Sequence, residues 1–192
     1  MKEDLSADLR DLLSQFEAVE RDAQSLVAGL SEELGTTQTA PGSWSVAECL
    51  DHLAVANRVY LEALEPSAKA ARAAGRLRRR PAQPGWAGRM FIATLEPPPK
   101  WWSKLKAPGK IRPREAPPLA DSFESFIASL ADARAFLRAN ADLDLAGVRF
   151  PNPFLPGVRF SLATGLHILP AHARRHLAQA WRVRRRVEGG GG

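Results

Sequence analysis

The sequence predicts an all-α protein, a four-helix bundle with a long proline- and arginine-rich insertion between its second and third helices. Four segments repeat apolar residues at steps of three and four, and no segment shows the convincing period-2 alternation of a strand. The segment 66–118 holds ten of the 15 prolines and 13 of the 27 basic residues, but only two acidic ones. We expect a single domain over 1–188, followed by a disordered glycine tail at 189–192.

Composition limits the function classes. A chain of 192 residues, 45% hydrophobic and 25% charged, is typical of a globular domain with a substantial core. No stretch approaches the roughly 18 uncharged apolar residues that indicate a membrane span. The acidic start argues against a secretory signal, and the single cysteine excludes an internal disulfide. These features predict a cytoplasmic protein.

The first two helices have recognisable starts and stops. An apolar stripe predicts a first helix from about Leu5 to Leu34. The second helix begins at Ser45, because Ser45 and Glu48 have the spacing of a capping box. We expect this helix to fade between Pro66 and Gly75.

The insertion at 66–118 combines positive charge with aromatic residues. A short helix is expected around Trp86–Leu95, and the basic runs are Arg76–Arg80 and Lys100–Lys106, the second of which includes Trp101 and Trp102. Such mixtures bind single-stranded nucleic acid or anionic membrane surfaces. A solvated loop whose tryptophans cover one end of the bundle is favoured, because no nucleic-acid fold motif accompanies the charge. A lid over a pocket is a third interpretation.

The last two helices complete the bundle. The third is expected to start near Asp121, closed by an acidic cap, and to end near Asn140. The fourth runs from about Ser161 to Val187, and Pro170 predicts a kink or a restart within it. The arginines at 182 and 184–186 are expected to complement the dipole of this helix.

Three of the four histidines occupy positions that could hold a metal ion. His172 and His176 lie one turn apart on one face of the fourth helix, and His52 projects inward or nearly inward from the second. Packing without a metal is the alternative at this point. His167 lies about 140° away from the pair, which predicts a structural or exposed side chain. Cys49, one turn before His52, is expected to be a small buried hydrophobe.

A zincin-type protease is disfavoured, because His172 is followed by Ala173 and not by the glutamate that acts as general base in that motif. No other general base is evident. Gln179 and Tyr60 could line the pocket, and each is equally suited to a bundle interior.

Two short motifs resemble those of the DinB/YfiT-like superfamily of metalloenzymes. Trp44–Leu53 resembles its W-S-x-x-E-x-x-x-H-L start of the second helix, and His172–Gln179 resembles its H-x-x-x-H-x-x-Q in the last helix. The resemblance implies a four-helix bundle, often dimeric, in which His52, His172 and His176 match the three ligands of a divalent metal. In related families such sites serve thiol-dependent transferases and isomerases.

Two functions follow as hypotheses. The first is a metal-dependent enzyme, a hydrolase or a thiol-dependent S-transferase or isomerase, in which the ion activates water or a thiol for a small-molecule substrate. Zn, Ni and Fe all suit three imidazoles, and a low-molecular-weight thiol could serve as a further cofactor. The second is a non-catalytic stress-response binding protein that contacts nucleic acid or anionic surfaces through its basic insertion. We also expect a homodimer.

Overall fold

Four long helices pack as a bundle in the computed structural model, which describes residues 5–97 and 109–189. The predicted four-helix bundle is therefore confirmed for these ranges, within which no helix has the length and apolar character to cross a membrane. The elements are α1 (Ala7–Val27), α2 (Glu32–Thr36), α3 (Val46–Ala73), α4 (Trp86–Leu95), a 3-10 turn (Gly109–Ile111), α5 (Leu119–Ala139), β1 (Arg149–Pro151), β2 (Arg159–Ser161) and α6 (Leu162–Gly189).

The predicted first helix is in fact two helices. Gly29 adopts φ 72°, a left-handed conformation that a side chain would disfavour, and this ends the α1 segment. Ser31 then caps α2, its Oγ accepting a hydrogen bond from the Leu34 amide at 3.2 Å. The apolar spacing continued across this break, so periodicity alone did not reveal it.

The start of α3 is confirmed in detail. Ser45 Oγ accepts from the Glu48 amide at 3.1 Å, and the Glu48 carboxylate accepts from the Ser45 amide at 2.7 Å, which completes the capping box. The helix continues through Pro66 and ends in a Schellman motif around Gly75, whose φ is 61°. Its end therefore falls in the predicted interval.

The third long helix starts differently from the prediction. α5 begins at Leu119, and no side chain of its own first turn caps it. Instead, Glu32 of α2 accepts a hydrogen bond from the Leu119 amide at 2.6 Å. The expected acidic cap at Asp121 is wrong, because a long-range contact satisfies the amide.

Two short strands precede α6, so the expectation of a chain without strands is wrong here. β1 and β2 pair antiparallel with Phe150 opposite Phe160. Three-residue strands are too short to give a period-2 signal. α6 then runs through Pro170 without the restart that proline predicts. The lost hydrogen bond costs about 3 kcal/mol, and burial of the flanking residues Leu169 and Ala171 offsets it.

Part of the basic segment 66–118 is tied to the bundle. The Arg78 amide donates to the Asp142 carbonyl at 2.8 Å, and the Arg78 guanidinium pairs with Asp8 at 2.6 Å. Arg78 is therefore anchored to the bundle, whereas the other residues of Arg76–Arg80 are exposed to solvent. Trp86–Leu95 forms the expected short helix. Lys100–Lys106 lies outside the described residues, as do 190–192 of the glycine tail, whereas Gly189 ends α6 and was not expected to be ordered.

Candidate metal centre

Three histidines converge where α3 packs against α6. His52 lies on α3, and His172 and His176 lie one turn apart on α6. One ring nitrogen from each falls within 4.8 Å of the others, and the Nε2 atoms of His52 and His172 are 3.3 Å apart. The structure thus brings together all three residues that the sequence singled out.

The surrounding packing fixes the rings. The indole of Trp44, just before α3, contacts His52 and His176 with centroid distances of 4.8 and 5.7 Å. The His52 and His176 rings meet edge to face at 4.5 Å. His52 is 1% exposed, whereas His172 and His176 are partly exposed, so the cluster has one buried side and one side open to a cavity.

Hydrogen bonds at the far side of two rings set their tautomers. His52 donates from Nδ1 to the carbonyl oxygen of Ile111 at 2.5 Å, and His176 donates from Nδ1 to Oε1 of Gln179 at 3.2 Å. Each Nε2 of these neutral rings therefore carries a lone pair. Partners of this kind orient histidine ligands in metal sites.

All three imidazoles are held neutral. Burial lowers the pKa of His52, although its bond to Ile111 partly opposes the shift. Burial, followed by the neighbouring histidines and Arg175, lowers the pKa of His172 well below its ordinary value. Burial, His52 and Arg175 lower the pKa of His176 to about 3. Neutral imidazole is the form that binds metal ions.

The donor set fits a divalent ion. Two nitrogens bound to Zn²⁺ at about 2.0–2.1 Å with a tetrahedral angle lie about 3.4 Å apart. The observed Nε2–Nε2 separation of 3.3 Å between His52 and His172 matches that value. Nε2 of His52 carries a lone pair, so the contact is favourable in two cases. Either Nε2 of His172 carries a proton and donates it in a hydrogen bond, or a cation lies between the two nitrogens.

A second layer of contacts supports the His52–Ile111 bond. Asp51, 2% exposed, accepts from the Arg114 backbone amide and from its Nε, both at 2.8 Å. Arg114 lies three residues after Ile111, so this pair holds the returning segment against α3. Both carboxylate oxygens of Asp51 are thus hydrogen-bonded to Arg114.

A cavity of about 980 Å³ opens beside the histidines. Its wall includes Trp44, Tyr60 and Gln179, and for the last two the sequence had left a pocket wall and a bundle interior equally open. Burial raises the pKa of Tyr60 to about 12, and its hydroxyl accepts from Asn152 at 3.3 Å. Tyr60 is therefore a protonated hydrogen-bond donor at neutral pH.

Two ionisable groups of α3 beside the cluster are not free to accept a proton. The Glu48 carboxylate accepts from the Ser45 amide and from Gln38, and its cap role leaves it turned to the start of α3. Cys49 is fully buried, and burial raises the pKa of its thiol. His167 lies outside the cluster, as expected, and contacts the Ala82 carbonyl at 3.3 Å.

Fold and cluster together define a class: a four-helix bundle with a candidate three-histidine metal centre. The chain belongs to the DinB superfamily, whose family model matches residues 15–180. The predicted family is thus confirmed. No curated protein matches the sequence significantly.

A solved structure similar to this chain is that of YfiT from Bacillus subtilis, described as a probable metal-dependent hydrolase with an unusual four-helix bundle topology. The two share 17% sequence identity with a TM-score of 0.55, over 98% of this chain and 93% of that one. At this identity the likeness shows the fold.

Sequence reasoning missed several residues around the cluster. The Ile111 carbonyl could not be found, because a backbone acceptor 59 positions from His52 leaves no side-chain signal. Arg182 and Arg186 were assigned to the helix dipole, yet both line the cavity. Round an ideal helix Arg186 lies about 40° from His172, whereas Arg182 lies about 80° from it, so helical spacing pointed to Arg186 more clearly than to Arg182.

Proposed function

We propose that this protein is a metal-dependent hydrolase in which His52, His172 and His176 hold a divalent ion, with Zn, Ni and Fe as candidates. The observation that carries the proposal is the convergence of three neutral imidazoles within 4.8 Å at the wall of a large cavity. Three protein ligands leave coordination positions open toward that cavity, as catalytic sites require.

Each residue has a definite part in this proposal. The Nδ1 donors of His52 and His176 fix both rings so that Nε2 faces the centre. Trp44 covers two of the rings and restricts water on that side. A bound divalent ion would supply Lewis-acid chemistry, lowering the pKa of a coordinated water or thiol. Tyr60 lines the same cavity as a hydrogen-bond donor for a substrate oxygen.

Hydrolysis is the simpler reaction for this site, because a thiol for transfer would have to come from outside the chain. The only cysteine, Cys49, is fully buried with a raised pKa, so the chain supplies no reactive thiol. Hydrolysis needs only water, whereas transfer or isomerisation requires an external low-molecular-weight thiol. The description of YfiT as a probable metal-dependent hydrolase agrees with this choice.

The alternative function, binding of nucleic acid or anionic surfaces through the basic segment, has less support from the structure. Arg78 is paired with Asp8, and Arg80 lies 3.3 Å from Asp144, so these two charges already have partners within the chain. Phosphate contact by Arg78 or Arg80 would compete with these pairs.

Metal analysis of the purified protein tests the proposal. Wild type is expected to bind about one divalent ion per chain, and the His172→Ala/His176→Ala variant is expected to bind none. His167→Ala is the matched control, since it removes a histidine of the same helix outside the cluster, and it should retain the ion. Equal metal content in wild type and the double variant would contradict the proposal.

The reaction class is tested on metal-loaded protein with ester, amide and phosphoester substrates, with and without added thiol. Hydrolysis without thiol, lost in the double histidine variant, is the expected result. Turnover that requires a thiol would reassign the protein to the transferase class.

A further inference from the structure

The face of α6 that carries the histidines continues along the cavity to the end of the helix. After His172 and His176 come side chains at helical steps of three and four, all in the cavity wall: Gln179, Arg182, Val183 and Arg186. Arg182 lies six residues beyond His176, about 9 Å along the helix axis. The wall therefore extends from the candidate metal centre to a basic end.

Arginine dominates the charge of this cavity. Among the described residues, the wall contains five arginines and two glutamates and neither lysine nor aspartate: Arg112, Arg114, Arg175, Arg182, Arg186, Glu48 and Glu115. Arg114 is neutralised by Asp51, at 2.7 Å. Within the ranges 5–97 and 109–189, no carboxylate lies within ion-pair distance of Arg182 or Arg186.

Arg175 and Arg182 both belong to this wall, and the positive charge of each acts on the other. Arg175 donates to the Thr94 carbonyl at 3.2 Å, and burial together with the positive charge of Arg182 lowers its pKa. Like charges that converge beside a low-dielectric wall repel each other, and an anion between them removes that repulsion. Their fork of N–H donors matches the oxygens of carboxylate and phosphate.

Part of the cavity wall is apolar. Phe91 of α4, Phe154 and Leu155 of the β1–β2 loop and Ile168 of α6 all contribute to it. Aromatic and aliphatic walls with a few polar groups are typical of small-molecule sites. This surface suits the carbon body of a ligand.

We propose that the cavity binds a small organic oxyanion, a carboxylate or a phosphate. Arg182 and Arg186 pair with its anionic group, and its apolar body lies against Phe91 and Phe154 with the reacting bond toward the histidines. That this ligand is the substrate rests on the proposed function, whereas its binding does not require it. The proposal names the substrate class as anionic.

Binding of two probes to wild type and two variants tests the proposal by calorimetry at fixed ionic strength. The probes are 3-phenylpropanoate and 2-phenylethyl phosphate, and the tighter one identifies the preferred oxyanion. We expect the uncharged 3-phenylpropanamide to bind at least about tenfold more weakly than the carboxylate. We expect Arg182→Gln/Arg186→Gln to weaken oxyanion binding by about tenfold or more.

Arg185→Gln is the matched control, because Arg185 is exposed on the same helical turns but is not part of the cavity wall. It should bind both probes within about twofold of wild type. Equal affinity for the carboxylate and the amide, or equal losses in the two arginine variants, would overturn the proposal. Metal content is measured on the same samples. Absence of a metal ion from the wild-type protein would contradict the proposed function but not the proposed binding of an oxyanion.

Discussion

Replacing Asp8 by asparagine should remove the strongest anchor between α1 and the basic segment. Asp8 accepts from the Ala82 amide at 2.6 Å and pairs with Arg78, and its side chain is only 13% exposed. Burial alone would raise its pKa, but the Ala82 amide, Ser6 and Arg78 lower it from 3.8 to about 2. A shift of this size corresponds to about 2 kcal/mol of folding free energy.

The sign of the pH dependence follows from the lowered pKa. The contribution is fully present above pH 3.8, the ordinary value, and is lost as the pH falls through about 2. Urea unfolding followed by circular dichroism should show Asp8→Asn less stable than wild type by about 2 kcal/mol at pH 7. At pH 3 this difference in the free energy of unfolding should be about half as large.

Asp132→Asn provides the control for this experiment, since Asp132 is exposed on α5 and should change stability by no more than about 0.5 kcal/mol. The reasoning would be refuted if Asp8→Asn had the same free energy of unfolding as wild type at pH 7. It would also be refuted if the difference in this free energy were the same at pH 7 and pH 3. Either result would also mean that the charge of Arg78 is available to external phosphate.

Two further predictions concern the surroundings of the cluster. Asp51→Asn should weaken metal binding about 10–100-fold, measured by competition with a chelator, because Arg114 would no longer hold the segment that supplies the Ile111 carbonyl. Gly88→Ala should lower the free energy of unfolding by about 1–2 kcal/mol, since its Cβ would lie 2.4 Å from Oγ1 of the buried Thr164.

Both variants have internal controls. Glu115→Gln removes an exposed carboxylate of the cavity wall and should leave metal affinity within about twofold, so an equal loss would contradict the role of Asp51. Thr164→Ala should rescue Gly88→Ala, because it removes the two closest atoms, and additive losses in the double variant would argue against the clash.

The sequence allowed the bundle and the histidine cluster to be predicted because both depend on local spacing. Helical periodicity located the long helices, and the four-residue step between His172 and His176 put them on one face. The capping box at Ser45 located the start of α3, and the core-type neighbours Cys49 and Leu53 indicated the inward direction of His52. These features need only a few neighbouring residues.

Features set by distant contacts were not predictable in the same way. The amide of Leu119 is capped by Glu32, 87 residues away, so the start of α5 shows no local cap. The β1–β2 hairpin depends on burial of Phe150 against the bundle and not on alternation. Arg184 was expected to complement its own helix, but it donates to the Leu26 carbonyl at the end of α1 at 2.8 Å.

The central claim is that His52, His172 and His176 bind a divalent ion, and X-ray absorption at the zinc edge of protein loaded with one equivalent of Zn²⁺ tests it most directly. Three imidazole nitrogens at about 2.0–2.1 Å and one oxygen are predicted, with one nitrogen fewer in His52→Ala. A shell of oxygen ligands only, or a spectrum that His52→Ala does not change, would contradict the claim.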